Sequence, residues 1–316
     1  MPDPSCLPLV FTDRLRKILP SSLFDEVLGT LALPDPLAVR VNTLKADLDT
    51  LVLRLRSEGL LIDRVPWCPE ALIMSGVPKK ELSRHPLFSE GILYFQNLSS
   101  LVPALILAPK PGERVLDLCA APGSKTTQIA AMMEGRGTLV AVEAVKARFY
   151  KLKTVCGLLG ANNVSLKLTD GRYYRMPEEG PFDKVLVDAP CSSEGRFRTF
   201  EPESYAYWSP RKIREMAHKQ KGLLLNASRL VKPGGELLYS TCTFAPEENE
   251  GVVDWFLKKQ GAEFVLSPVN LPSVKACPSL AVWDRRVFAS DLSRCLRILP
   301  DGKMSGFFLA FFKRSL

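Results

Sequence analysis

The chain has 316 residues, of which 46% are hydrophobic and 24% are charged. These values are typical of a globular protein long enough for two domains, and they exclude a disordered or fibrous chain. Lys and Arg outnumber Asp and Glu by 42 to 34, a net charge of +8, which suits a polyanionic partner. The excess is confined to residues 96–316, because residues 1–95 hold eleven basic and twelve acidic side chains.

Eight cysteines occur without CxxC pairs or regular spacing, and there are two histidines. This pattern favours reduced thiols in a cytoplasmic protein over a disulfide framework or a metal centre. No signal or transit peptide is evident in the first 20 residues, and the apolar run at 98–108 is too short to span a bilayer. We expect a cytoplasmic monomer with no metal and no membrane segment.

Residues 1–95 predict a small α+β domain. Its pieces are two short helices within 11–33 broken at Pro20, an extended segment at 36–42, a helix between Asp47 and Gly59, and extended segments at 60–66 and 71–75. The segment GILYFQ (91–96) then leads into a helix begun by Ser99 and Ser100. We place the domain boundary near residue 95.

Residues 96–316 alternate apolar strands with helical stretches, which is typical of a doubly wound parallel sheet. The predicted strands lie at 114–118, 138–142, 164–168, 184–188, 235–240 and 306–313. The last of them has no helix after it. A terminal hairpin with a strand near 263–267 would leave one strand antiparallel.

The segment VLDLCAAPGSKTTQIA (115–130) reads as a strand, a turn containing Gly123, and a helix start. It lacks the glycines of a Rossmann G-x-G-x-x-G or a P-loop, so a phosphate-free adenosyl ligand fits better than a nucleotide phosphate. About 20 residues on, Glu143 ends the next strand, where a carboxylate can accept from ribose hydroxyls. Asp170 follows the third strand and can receive the adenine amino group.

Asp117 and Asp188 complete a row of acids at the ends of four strands, the layout of an S-adenosylmethionine-dependent methyltransferase. Each acid alone could be a helix cap or a turn former, and for Asp117 we favour that structural role. Two thiols share this edge, Cys191 after strand four and Cys242 after strand five. A structural alternative is that the segment is a plain turn with Cys191 as a small buried residue. A catalytic role is also chemically reasonable, because C5 of a pyrimidine becomes nucleophilic only after a thiolate adds at C6. DNA cytosine-5 methyltransferases attack with the cysteine of the Pro-Cys pair, so the local pattern alone would select Cys191.

The motifs DLCAAPGSKT, VDAPCSSEG and YSTCTFAPEENE resemble the Sun (RsmB/RsmF-type) RNA cytosine-5 methyltransferases. The resemblance extends over most of the chain, including RVNTLK (40–45), GILYFQNLSS (91–100) and GFFLAFFK (306–313). It implies an α/β fold with a doubly wound, mostly parallel Rossmann-like methyltransferase sheet, one antiparallel strand and an RNA-recognition-like N-terminal domain. In that family the N-terminal domain positions RNA, and residues 96–316 would form the catalytic domain.

The resemblance also assigns residue roles. Cys242 is the nucleophile, Cys191 aids product release, Asp188 recognises the cytosine, and Lys125 reaches toward the acid and the base. The implied contacts of S-adenosyl-L-methionine are Cys119, Ala120, Ala121, Pro122, Gly123, Ser124, Lys125, Glu143, Arg148, Asp170 and Asp188. A thiolate at neutral pH needs a nearby cation, for which Lys125 is the candidate. Ser124 stands where the family often has glycine, and Glu143 replaces a frequent aspartate.

The segment between the two cysteines interleaves basic and aromatic residues, which predicts an RNA surface beside the active site. Its members are Arg196, Phe197, Arg198, Phe200, Tyr205, Tyr207, Trp208, Arg211, Lys212, Arg214, Lys219 and Lys221. The alternative is a solvated helix face with Trp208 packed beneath it. The sequence therefore predicts an enzyme that forms 5-methylcytosine in RNA, with small-subunit ribosomal RNA as the substrate. A tRNA cytosine-5 methyltransferase and a non-catalytic RNA-binding assembly factor are the alternatives.

Overall fold

A computed structural model describes residues 6–316. The helices in that part are α1 (Leu9–Ile18), α2 (Ser21–Thr30), α3 (Leu48–Ser57), α4 (Lys79–Leu82), α5 (Pro86–Ser89), α6 (Leu98–Leu107), α7 (Ser124–Met132), α8 (Lys146–Leu158), α9 (Pro210–Leu230) and α10 (Glu250–Gln260). The strands are β1 (Leu37–Val41), β2 (Leu61–Val65), β3 (Cys68–Ser75), β4 (Leu93–Phe95), β5 (Arg114–Asp117), β6 (Thr138–Glu143), β7 (Val164–Leu168), β8 (Phe182–Asp188), β9 (Val231–Thr241), β10 (Phe264–Ser267), β11 (Ala276–Pro278), β12 (Val282–Trp283), β13 (Arg286–Val287), β14 (Leu296–Ile298) and β15 (Phe307–Arg314).

A small antiparallel sheet in the order β2-β3-β1-β4 occupies the N-terminal third. Helix α3 covers it and begins as the sequence predicts, because the Asp47 carboxylate accepts a hydrogen bond from the backbone N–H of Thr50. Val39 and Val41 of β1 pack in one cluster with Leu51 and Leu55 of α3. This apolar layer gives the small sheet a core of its own.

The large sheet has the order β11-β14-β15-β9-β8-β5-β6-β7, with β10 also paired to β15. Strands β9, β8, β5, β6 and β7 are mutually parallel, and β15 runs antiparallel to β9. The predicted α/β class, a doubly wound, mostly parallel Rossmann-like sheet, is confirmed. The predicted hairpin partner near 263–267 is β10, and β11 and β14 are added from a region that the sequence analysis left unassigned.

Side chains alternate between the two faces of this sheet because successive strand residues point in opposite directions. Val185 and Val187 of β8 pack with α9 and α10, whereas Leu186 packs with α6, α7 and α8. Helices therefore cover both faces, and the central strands are buried on both sides. This arrangement leaves the carboxyl ends of the parallel strands as the accessible edge.

Two details near the predicted boundary differ from expectation. Helix α6 begins at Leu98 rather than at Ser99, because the Asn97 side chain caps it by accepting from the backbone N–H of Ser99. Helices α1 and α2 pack in a cluster with Phe197 and Phe244 of the larger unit, not with the small sheet. We retain a division near residue 95 as a proposal, with α1 and α2 lying against the larger unit.

Candidate active site

The chain proceeds from β5 toward β6 and β7 on one side, and from β8 toward β9 on the other. A crevice forms at the carboxyl ends of strands where the winding direction changes, between β5 and β8. A cleft of about 430 Å³ opens there. Residues from the turn after β5, the ends of β8 and β9 and the 94–100 segment line it.

Asp188, the last residue of β8, lies in this cleft between two fixed partners. Its Oδ2 is 2.8 Å from Lys125 Nζ, and its Oδ1 accepts a 2.8 Å hydrogen bond from Ser240 Oγ. Lys125 is largely buried and also donates to Ser100 Oγ at 2.8 Å. The carboxylate is therefore held in one orientation, and the structure brings together Asp188 and Lys125 as the sequence predicts.

The two predicted thiols meet in the same cleft. Cys191 follows β8 and Cys242 follows β9, and because these strands are hydrogen-bonded neighbours their loops lie side by side. The Sγ atoms are 3.3 Å apart and both cysteines are unbridged. The hydroxyl of Ser193 lies 3.7 Å from Cys242 Sγ and 3.9 Å from Cys191 Sγ.

The surroundings of the two thiols differ electrostatically. A hydrogen bond from Cys191 and the positive charge of Arg196 lower the pKa of Cys242 to about 7. The same contact with Cys242, together with burial, raises the pKa of Cys191 well above its usual value. Lys125 was the candidate cation for this purpose; its ammonium is bound to Asp188, and the positive charge of Arg196 lowers the pKa of Cys242.

Buried glutamates hold the two cysteine loops together. Glu194 accepts hydrogen bonds from Trp208 Nε1, Thr243 Oγ1 and the backbone N–H of Phe244, at 2.9, 3.0 and 3.1 Å. Its side chain thus ties the loop after Cys191 to the loop after Cys242.

Glu248 supports the other side of the Cys191 loop. It accepts from the backbone N–H of Ser192 at 3.0 Å and from Gln220 Nε2 at 2.7 Å, and burial raises its pKa to about 8. In the sequence, the EG and EENE motifs indicated only the family resemblance, and their role in holding the loops was not predicted. Acidic and amide residues flanking both cysteines within otherwise apolar segments were the available signal.

A glycine pair fixes the same loop from the side of β15. The backbone N–H of Gly195 donates to the carbonyl oxygen of Cys242 at 3.0 Å, and that of Gly306 donates to the carbonyl of Gly195 at 3.2 Å. A side chain on Gly195 would collide with the Gly306 carbonyl. A side chain on Gly306 would collide with the ring of Phe244, so both positions require glycine.

The turn after β5 has the predicted form. Gly123 has φ of +110°, and a side chain there would press against Leu152 and Val155 of α8. Of the predicted turn residues, Cys119, Ala121, Pro122, Ser124 and Lys125 line the cleft, whereas Ala120 is buried behind them. Arg148 also lines the cleft and donates to the carbonyl oxygen of Ala121 at 2.6 Å.

The remaining predicted acids lie beside the cleft rather than in its lining. Glu143 is buried at the end of β6, accepts from the backbone N–H of Val145 at 2.8 Å and lies 3.7 Å from Arg148 Nη1. Asp170 pairs with Arg172 at 2.7 Å, and this hydrogen-bonded guanidinium lowers the pKa of Asp170.

Asp117 differs from the other acids in being enclosed. It accepts from Thr126 Oγ1 at 2.7 Å, and burial raises its pKa to about 7. Its second oxygen, Oδ1, is buried without a hydrogen-bond partner among the described residues. The bond to Thr126 fits the structural role favoured from the sequence.

The predicted RNA surface is partly wrong. Phe197 is fully buried against Phe11 of α1, and Trp208 packs in the same cluster while donating to Glu194. Arg198 is buried and paired with Asp35. These side chains are part of the core because α1 and α2 cover them, which the local pattern could not reveal.

The other members of that surface remain accessible to different degrees. Those that are exposed are Arg196, Phe200, Tyr207, Arg211 and Arg214. Tyr205, Lys212, Lys219 and Lys221 are half-buried; Lys212 pairs with Glu215, and Lys221 lies over the ring of Trp255.

The RVNTLK motif fastens the small sheet to the larger unit. Arg40 is buried and donates to Gln96 Oε1 at 2.9 Å and to Thr127 Oγ1 of α7 at 2.8 Å. Asn42 donates to the carbonyl oxygen of Leu159 at 2.8 Å, and Lys45 donates to that of Leu158 at 2.7 Å. The motif thus places the small sheet beside the turn after β5, a role the sequence analysis did not assign.

Among residues 6–316, no helix is both long and apolar enough to cross a bilayer. The same residues contain no cluster of three or more His, Cys, Asp or Glu side chains suited to a metal ion.

The sheet order, the glycine turn after β5 and the site at its carboxyl edge define a Rossmann-like methyltransferase fold. The sequence profile of the family described as 16S rRNA methyltransferase RsmB/F matches residues 104–313, and that of the N-terminal domain of 16S rRNA methyltransferase RsmF matches residues 7–98. The chain belongs to the 16S rRNA methyltransferase RsmB/F family.

Known relatives agree with this assignment. Ribosomal RNA small subunit methyltransferase F of Pectobacterium carotovorum is 37% identical over 257 residues, 80% of this chain and 53% of that protein. The chain thus spans about half the length of the curated relatives it matches. A methyltransferase homolog protein from Pyrococcus horikoshii has a TM-score of 0.79 and 30% identity, covering 98% of this chain and all of the other. NSun6 from the same organism, solved with SFG, has a TM-score of 0.81 at 24% identity over 98% of each chain, and shares the fold.

Proposed function

We propose that this protein is an S-adenosyl-L-methionine-dependent methyltransferase that forms 5-methylcytosine in small-subunit ribosomal RNA. The observation that carries this proposal is the pair of thiols 3.3 Å apart beside the Asp188–Lys125 pair. A methyltransferase that acts on an amine or hydroxyl needs no thiol, whereas C5 of cytosine requires covalent activation. The names of the curated relatives support ribosomal RNA as the substrate.

The residues around the turn after β5 fit an adenosyl cofactor. Gly123, in the left-handed conformation, is the residue before α7 and lets this helix begin beside the cleft. Glu143 ends the next strand, where its carboxylate can accept from ribose hydroxyls. Asp170 and Arg148 would complete the binding set, with the backbone of residues 119–124 along the ligand. When bound, S-adenosyl-L-methionine supplies an electrophilic methyl group.

Cys242 is the proposed nucleophile. Its thiolate adds to C6 of the cytosine, and the electrons of the C5–C6 double bond move to C5, which can then take a methyl group. Solvent water takes the C5 proton, the electrons of that C–H bond re-form the C5–C6 double bond, and the electrons of the bond between sulfur and C6 leave with Cys242 as the thiolate. The lowered pKa of Cys242 supports this role because it increases the fraction of the reactive thiolate near neutral pH.

Asp188 and Lys125 would hold the base. The carboxylate accepts from the exocyclic amine of cytosine and, in the adduct, from the protonated N3, a pattern that uracil cannot match. Lys125 keeps this carboxylate oriented through their 2.8 Å contact. The exposed Arg196, Phe200 and Tyr207 nearby can contact phosphates and unpaired bases.

Cys191 is proposed to act in product release. Its raised pKa favours the neutral thiol, which can donate a hydrogen bond to the sulfur of Cys242 as the bond to C6 breaks. The 3.3 Å contact between the two sulfurs supports a role in stabilising the departing thiolate.

The test is Cys242→Ala assayed with small ribosomal subunits and radiolabelled S-adenosyl-L-methionine. Removing the nucleophile should lower methyl transfer by at least about a thousandfold while RNA affinity stays within about twofold. Cys6→Ala, an exposed thiol outside the site, is the control and should leave the rate unchanged. Bisulfite mapping of the product locates the modified cytosine, and transfer that survives Cys242→Ala would overturn the assignment.

A further inference from the structure

Ser193 has a backbone conformation that non-glycine residues rarely adopt. Its φ and ψ are 61° and 24°, in the left-handed region. Such a conformation is unfavourable for a residue with a side chain and persists where the surroundings impose it. The neighbours impose it here, because Ser192 is bonded to Glu248 and the Ser193 carbonyl accepts from the backbone N–H of Arg196 at 2.9 Å.

The strained backbone places the Ser193 hydroxyl in contact with the pair of thiols. The neutral Cys242 thiol donates to Ser193 Oγ at 3.7 Å, and Cys191 Sγ lies 3.9 Å from the same oxygen. Once Cys242 is ionised it has no proton to donate, so the same contact requires the Ser193 hydroxyl as the donor. Glycine would satisfy this φ without strain, so the turn itself has no need of a serine. The side chain is half-exposed, lines the cleft and has both sulfurs within reach.

Other charged and titratable groups face the thiols from each neighbouring element. Arg196 lies on the Cys242 side and favours its thiolate, whereas Asp188 opposes that charge. Glu248 faces Cys191 and disfavours a thiolate there when its own carboxyl group is ionised. Lys125 of α7 is engaged by Asp188. Two sulfurs 3.3 Å apart cannot both carry a charge cheaply, so a donor near them biases which one does.

We propose that Ser193 is a positioning residue whose hydroxyl donates to the sulfur of Cys242 and thereby keeps the negative charge on Cys242 rather than on Cys191. The proposal rests on the proposed function for its role in catalysis, but its physical content concerns the two thiols alone. It can therefore be tested without RNA or cofactor.

The experiment is Ser193→Gly in the full chain, with the rate of iodoacetamide alkylation of each cysteine followed from pH 5 to 9 by peptide mass spectrometry. Glycine keeps the turn unstrained and removes only the hydroxymethyl group. We expect the apparent pKa of Cys242 to rise and its alkylation at pH 6.5 to slow by about three- to tenfold, the loss expected for the net contribution of one ordinary hydrogen bond. The preference for Cys242 over Cys191 should fall by a similar factor.

The matched control is Ser273→Gly. Ser273 also has a positive φ, 68°, but is exposed and far along the chain from both cysteine loops. It should leave both titrations unchanged. A Cys242 titration in Ser193→Gly that coincides with that of the wild type, or an equal shift in Ser273→Gly, overturns the proposal. Absence of methyl transfer by the wild type would instead count against the proposed function and leave the alkylation result to decide the role of Ser193.

Discussion

At the scale of single residues, the site depends on an asymmetry between two chemically identical side chains. Cys191 and Cys242 lie at equivalent places after adjacent strands, and only their neighbours distinguish them. The hydrogen bond from Cys191 and the charge of Arg196 lower the pKa of Cys242, whereas the contact with Cys242 and burial raise the pKa of Cys191. Their division of work would follow from these contacts rather than from position along the chain.

The first prediction concerns Cys191→Ala. If the neutral thiol of Cys191 stabilises the departing sulfur, alanine should slow breakage of the bond to C6 more than its formation. A covalent protein–RNA adduct should accumulate and persist on a denaturing gel, at a level at least about tenfold above that of the wild type. The double variant Cys191→Ala/Cys242→Ala should show no adduct, and the lack of an adduct in the single variant would contradict the release role.

Several site residues could be predicted from the sequence because the ends of adjacent parallel strands must meet. Asp188, Cys191 and Cys242 end such strands, and Lys125 begins the helix beside them. The cation that acts on Cys242 could not be predicted. Arg196 is brought near Cys242 by the turn at Ser193, which has a left-handed conformation. No local sequence pattern predicts that a non-glycine residue adopts this conformation.

At the scale of elements, the fastening of the small sheet to α7 is the contact that the sequence least revealed. Arg40 reads as an ordinary exposed strand residue, yet it is 2% exposed and bonded to Gln96 and Thr127. Helices α1 and α2 are a second case, since their apolar faces were recognisable but their partners, Phe197 and Phe244, are distant in sequence. Amphipathic periodicity predicts that a face is buried, not what buries it.

Arg40→Met tests this fastening. Methionine can fill the space but leaves the acceptors on Gln96 and Thr127 without their donor, so we expect the free energy of unfolding to fall by about 1–3 kcal/mol. Urea denaturation followed by fluorescence measures the change. Arg54→Met is the control, because Arg54 is exposed and its pair with Glu58 should contribute no more than about 0.5 kcal/mol. Equal effects of the two variants would refute the structural role of Arg40.

At the scale of the whole molecule, burial of Glu248 couples stability to pH. Its pKa is raised from 4.5 to about 8, so the folded protein keeps a proton that the unfolded chain releases above pH 4.5. The contribution is therefore complete below pH 4.5 and is lost as pH rises toward 8. Asp117, whose burial raises its pKa to about 7, acts in the same direction.

Glu248→Gln should weaken this dependence, because the amide cannot ionise and its oxygen can still accept from Ser192 and Gln220. We expect the loss of unfolding free energy between pH 5 and pH 8 to shrink by an amount on the order of 2 kcal/mol. Denaturation with urea at several pH values measures it, with the exposed Glu215→Gln as the control. An unchanged slope in Glu248→Gln would show that Glu248 is not the group responsible.

The contact between Gly195 and Gly306 bears on when the protein can become active during its synthesis. The carbonyl of Gly195, in the loop that carries Cys191, accepts from the backbone N–H of Gly306, which is synthesised more than one hundred residues later. Strand β15, which pairs with β9, also follows at that point of the chain. A nascent chain that has already exposed both cysteines to solvent would still lack this support. Until residue 306 has been synthesised and has left the exit tunnel, the Gly195 carbonyl lacks the N–H group that it binds in the folded protein.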